Sequence, residues 1–157
     1  MTLDRVILDN EYRGAPSPYI EADREQAVAD LAAANHFMVY GRDGKKTEGP
    51  YVLRLSIAEG RLVFDIRARD DSPWIAIGLA LGPFRRLVKD YEMLVDSHIK
   101  AVEEGRESRI QAIDMGRRGL HNEASELLRT RLDGKIATDL DTARRLFTLI
   151  CALHWRG

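Results

Sequence analysis

Apolar and polar residues alternate on both sides of Glu59-Gly60, a period of two that predicts a β-hairpin. Setting Ile57 opposite Leu62, Leu55 opposite Phe64 and Leu53 opposite Ile66 makes one face wholly apolar. On the other face Arg54 then lies across from Asp65, a favourable cross-strand pair. A slip of one residue would set Leu55 against Val63 and Leu53 against Asp65, mixing the faces, so the register is strongly specified. Trp74 to Leu81 reads as the next strand. Its Ile75, Ile77, Leu79 and Leu81 share one face, while Ala76, Gly78 and Ala80 leave the other nearly flat. Shorter strands are expected at Leu3–Leu8 and Phe37–Tyr40. Loops are expected around Gly14, Pro16 and Pro18 and from Gly41 to Pro50.

Beyond Leu81 the period lengthens to that of a helix. Pro83 suits a first helical position. Phe84, Leu87, Tyr91, Leu94, His98 and Val102 then recur on one stripe as far as Glu104, and Gly105 breaks the run. Ser108 to Leu132 follows, with Ile110, Ile113, Arg117, Leu120, Ala124, Leu127 and Leu128 on its stripe and Asp133-Gly134 as a stop. Thr138 or Asp139 can cap a last helix reaching about Trp155. That helix is apolar around most of its circumference, which places it at the centre of the helical region. Upstream, alanine-rich Glu21–Asn35, with Val28 and Leu31 on one side, predicts a further helix. The elements together predict an α+β fold: a small antiparallel sheet with one covering helix, plus a three-helix C-terminal bundle. Residues 1–157 read as one domain, mainly β with one helix over 1–81 and helical over 82–157.

Charge and composition narrow the function classes. A net charge of −1 argues against non-specific nucleic-acid binding and polybasic membrane attachment. Residues 106–157 hold ten Lys/Arg against seven Asp/Glu, an excess of only three, so RNA or ribosome contact is a poor fit. The longest apolar run, Leu146 to Leu153, is too short to span a bilayer. The opening Met1-Thr-Leu-Asp-Arg-Val6 lacks the basic-then-apolar order of a signal peptide. A single cysteine suits a reducing compartment, and the expected location is cytoplasmic.

The candidate chemistry sits where leucines would be expected. At about 100° per residue, His98, Arg117 and His154 fall near the middle of the three C-terminal apolar stripes. A polar group on a buried stripe costs free energy unless it finds a partner, so a polar layer inside the helical region is expected. Short connections make consecutive helices antiparallel neighbours. Counting about 1.5 Å per residue from each turn puts His98 level with Asp114 and His154 level with Arg118. His98, Asp114, Arg117, Arg118, His121 and His154 are therefore candidates for one site, with Arg144 as a basic edge to the layer or part of a solvated face. Arginine there would hold an anion and histidine would move protons. The alternative is a structural network in which Arg117 pairs with Asp114 and a carbonyl.

Other features read as bland. Cys151 and His154 share a helix face, but Leu149-Ile-Cys-Ala-Leu153 is an apolar setting that keeps a thiol neutral. Asp96-Ser97-His98 cannot converge as a triad, because consecutive helical residues point about 100° apart. The glycines between Gly41 and Gly49 precede a strand rather than a helix N-terminus, so the physics of a phosphate cradle is missing. Arg131, near a helix end, is placed to snorkel. Gly116 and Gly119, beside the arginines, read as points of close helix approach. No metal set or cofactor motif is found.

Gly82-Pro-Phe-Arg-Arg-Leu-Val-Lys-Asp-Tyr91, Ile113-Asp-Met-Gly-Arg-Arg-Gly-Leu-His121, Asp141-Thr-Ala-Arg-Arg-Leu-Phe-Thr-Leu-Ile-Cys151 and the terminal Leu-His-Trp-Arg-Gly strongly resemble an uncharacterised bacterial protein family, UPF0262. Tyr51 to Phe64 is similar to its middle strands, so the resemblance covers most of the chain. It implies a single-domain intracellular protein and carries no reaction, cofactor or partner. The expectation is thus a non-catalytic binding or regulatory protein that forms a homo-oligomer or docks a protein partner. The other reading is an enzyme on a small anionic substrate, with Arg117 and Arg118 as the clamp and His121 or His154 as general acid/base.

Overall fold

The computed structural model describes residues 3–8, 18–47 and 49–154. The hairpin forms in the expected register: β3 (Tyr51–Ala58) and β4 (Arg61–Arg67) pair Ile57 with Leu62, Leu55 with Phe64 and Leu53 with Ile66. Glu59 and Gly60 both take positive φ, 53° and 73°, which the right-handed strand twist demands of a two-residue turn. Arg54 lies across from Asp65 as expected, yet its guanidinium goes to Asp71 at 2.8 Å, while Asp65 takes Arg67 at 3.0 Å. Register decides which residues are opposite; side-chain reach decides which ones pair.

β5 (Pro73–Ala80) adds to β4 antiparallel, placing Ile77 and Leu79 beside Phe64 and Leu62. β1 (Leu3–Leu8) completes the order β1-β3-β4-β5. It pairs parallel to β3, with Val6 against Leu53 and Leu8 against Leu55, so the sheet is mixed rather than purely antiparallel. The cause is the crossover: α1 (Pro18–Ala33) lies between β1 and β3 and returns the chain to the same end of the sheet. Pro18 opens α1 instead of ending the preceding loop, whose Gly14 and Pro16 lie outside the described residues.

A 3₁₀ turn over Gly82–Phe84 leads into α2 (Arg85–Glu103), followed by α3 (Glu107–Leu132) and α4 (Leu140–His154). Asp139, not Thr138, caps α4: its Oδ1 accepts the Thr142 N–H at 2.8 Å. Just before it, β6 (Ile136–Thr138) pairs antiparallel with β2 (Phe37–Val39). Three residues are too few to show a period, so only this distant pairing defines β6. α4 is central as expected, touching α1, α2, α3 and β3, with Leu146, Phe147, Leu149, Ile150 and Cys151 fully buried. Burying each such side chain contributes roughly 1.5–3 kcal/mol. The three C-terminal helices pack together, and α1 joins them on α4 while also covering β1. The sheet therefore rests on α1 and α4 rather than on one helix. The fold class is α+β. Among the described residues no helix is long and apolar enough to cross a membrane.

Candidate functional site

Arg117 is the hub of the polar residues. Its position on α3 faces α1, where Tyr19 and Asp23 lie four residues apart and so share a helix face. One guanidinium nitrogen donates to the Tyr19 hydroxyl, another lies 3.6 Å from Asp23 Oδ2, and Asp114 on the same helix is 4.0 Å away. The guanidinium also stands 5.4 Å from the centre of the Tyr19 ring and 5.9 Å from that of Tyr91. Tyr91 of α2 donates its hydroxyl to the same Asp23 oxygen. Burial, and then the Asp23 charge, push the Tyr91 hydroxyl above its ordinary range, so it stays a proton donor. Burial works against the Arg117 charge, but the surrounding Tyr19, Tyr91 and Asp23 more than offset it.

His121, one turn along α3 from Arg117, is 7% exposed. Its ring meets Tyr91 and Phe147 edge-on at 5.4 and 5.8 Å, and its Nδ1 has no hydrogen-bond partner among the described residues. Burial first, then the Arg144 and Arg117 charges, push its pKa down to about 4, so the imidazole is neutral at neutral pH. It lines a cleft of about 300 Å³ between α1, α3 and α4, whose walls include Asp23, Asp30, Asp141, Arg144 and Arg145. Arg145 stands 3.9 Å from Asp30, and Asp23 belongs to Arg117. Arg144 and Asp141 are exposed at the cleft and make no ion pair among the described residues.

The expected candidates thus separate. His98 meets Asp114 at 3.9 Å, at the level counted from the turn, and its ring lies 5.6 Å from Tyr19. His98, Asp114, Arg117 and His121 therefore lie along one continuous band. Arg118 does not join it; one position from Arg117, it points to solvent. His154 turns toward α2, where its Nδ1 is 3.8 Å from Glu92, so it meets neither Arg118 nor the cleft. Axial level follows from residue counting, but the direction a residue faces depends on how each helix is rotated. Tyr19, Asp23 and Glu92 escape sequence reasoning: the helix expected from Glu21 left Tyr19 in the preceding loop, whereas α1 begins at Pro18, and single carboxylates off the apolar stripes look like solvated residues. The one available signal was the four-residue spacing of Tyr19 and Asp23.

The remaining features are quickly placed. Cys151 is fully buried and its thiol is pushed up by burial, so it stays protonated. A Cβ on Gly116 would sit an ordinary 3.5 Å from Leu94 and one on Gly119 would meet nothing, so neither glycine serves close packing. Both instead line a shallow groove between α2 and α3. Among the described residues no group of three His, Cys, Asp or Glu could hold a metal ion.

The model of an uncharacterised protein family, UPF0262, matches residues 1–156. A UPF0262 protein of Granulibacter bethesdensis is 61% identical over 97% of this chain and 89% of its own length. That of Acidiphilium cryptum is 58% identical over 99% and 93%, and that of Cereibacter sphaeroides 52% over 89% of each. No solved structure matches the chain. The family match extends over the sheet and the four described helices, and the chain belongs to the UPF0262 family.

Proposed function

We propose that this protein is a non-catalytic binding protein that takes a small carboxylate in the cleft between α1, α3 and α4. The observation that carries the reading is Arg144, an exposed guanidinium without an ion pair among the described residues, at the edge of a cleft lined by a neutral imidazole. A guanidinium free of internal partners matches a carboxylate bidentately. Asp141, one turn earlier on α4, supplies the opposite charge, so a ligand carrying an ammonium beside its carboxylate fits better than a phosphate dianion. Arg117 is already committed to Tyr19, Asp23 and Asp114, and it serves as the tie that holds α1 against α3.

The enzymatic reading is weaker on the same geometry. An Arg117–Arg118 clamp would need both groups at one opening, and Arg118 faces away. A general acid/base works best with a pKa near the working pH, whereas His121 is held near 4 and His154 stands on Glu92.

A thermal-shift screen against amino acids, simple carboxylates and phosphates tests the proposal. Wild type should gain stability with the first two classes and least with phosphates. Arg144→Ala should lose that gain while its unliganded Tm stays within about 1 °C of wild type, as expected for an exposed surface residue. If no carboxylate shifts wild type, or if Arg144→Ala keeps the shift, the cleft reading is wrong.

A further inference from the structure

Among the described residues β5 is an edge strand whose only protection, Pro73 and a register shift opposite Arg67, lies at its first residues. Its eight residues, Pro-Trp-Ile-Ala-Ile-Gly-Leu-Ala, contain no charge and no proline after the first position. The opposite edge, β1, carries Asp4 and Arg5 within six residues. On its inner side β5 is fully engaged: Leu81 N–H donates to Gly60 O at 3.2 Å, and the antiparallel alternation then aims the peptide groups of Leu79, Ile77 and Ile75 at β4. The peptide groups of Ala80, Gly78 and Ala76 consequently point away from the sheet. Among the described residues no strand pairs with them.

We infer that this free edge is the contact between two copies of the chain, joined antiparallel across a two-fold axis at Ile77 into one continuous sheet. Three observations choose a second copy as the occupant. First, the hydrogen-bonding edge is its own complement. With Ile77 on the axis, Ala76 of each copy faces Gly78 of the other, and the outward peptide groups of both residues are used at both crossings. Second, the outer face fits. Ala76, Gly78 and Ala80 leave it flat and exposed, and Trp74 stays stacked on its own Tyr51 at 5.7 Å, so no large side chain obstructs a second copy, while on the inner face half-buried Ile75 would meet Leu79. Third, the charges are complementary. Exposed Asp70 lies in the turn before β5 and exposed Arg85 follows it, neither in an ion pair among the described residues. Antiparallel pairing brings these oppositely charged ends together twice. This inference is independent of the cleft.

Sedimentation velocity from micromolar to millimolar protein tests the proposal, with two double variants. A Cβ at Gly78 would meet only Arg61 Cδ, at 3.7 Å, so a side chain is tolerated there, and circular dichroism confirms the fold of each variant. Wild type should dimerise, more weakly as salt rises. A76K/G78K sets lysine against lysine at both crossings and should weaken association about tenfold or more. A76K/G78E sets lysine against glutamate and should restore it. A wild type that is monomeric up to millimolar concentration, or a dimer that A76K/G78K leaves intact, overturns the proposal. Failure of A76K/G78E to recover overturns the stated register. Hydrogen exchange on wild type supplies a readout free of mutation: the Ala76, Gly78 and Ala80 amides should slow as concentration rises, and concentration-independent exchange refutes the contact.

Discussion

The sheet and the polar band of the helices are held together over very different distances along the chain. β3 and β4 are joined by a two-residue turn, and every apolar pair on their inner face follows from it. In the band, Tyr19 and Arg117 are 98 residues apart and Asp23 and Tyr91 are 68 apart. The two regions also differ in what they bury. The sheet removes Leu53, Leu55, Leu62, Phe64 and Ile66 from water, a non-directional gain. The band buries dipoles and charges that are tolerable only while each has its partner. The sheet is therefore expected to resist substitution by volume, and the band by pairing and protonation.

Phe64→Ala attacks the sheet where it is fully buried and should have the largest effect, about 3–5 kcal/mol by urea denaturation. A loss below about 1 kcal/mol would mean the sheet is not the well-packed element described. The next effect separates the regions by pH. His121 has a folded pKa of about 4, below its unfolded value of about 6.5, so between these pH values the unfolded chain binds a proton that the folded one refuses. Stability should fall as pH drops through that window, by about 3 kcal/mol in total. H121F, compared with wild type at each pH, should remove this component while leaving the slope above pH 7 unchanged. Parallel curves for the two proteins would refute the buried neutral imidazole.

The smallest effect concerns the tie between α1 and α3. Arg117→Met should cost about 1–2 kcal/mol, less than a fully buried pair, because both side chains keep some solvent contact. A double-mutant cycle with Asp23→Asn should show coupling of about 1 kcal/mol; additive losses would mean that the pair holds nothing.

The hairpin register, the long helices and the centrality of α4 could be read before any coordinates, because each depends on a period within a single segment. Even the meeting of His98 with Asp114 follows from counting residues back from Gly105. Counting failed for His154 because it yields height along a bundle and not the direction faced. It could not find Tyr19 or Asp23 at all, since their roles arise only when α1 is laid against α3. The corrected loan of Arg54 from Asp65 to Asp71 has the same origin: a long side chain chooses among charges that the backbone has already placed.

The amino-acid order by itself determined the α+β class, the spans of the main elements, the turn at Glu59-Gly60 and membership of the family. Only tertiary structure decided the parallel course of β1, the existence of β6, and the assembly of Tyr19, Asp23, Tyr91, Arg117 and His121 beside one cleft. The division follows from physics. Backbone periodicity is a property of neighbours in sequence, whereas the rotation of one helix against another is set by all the side chains packed between them.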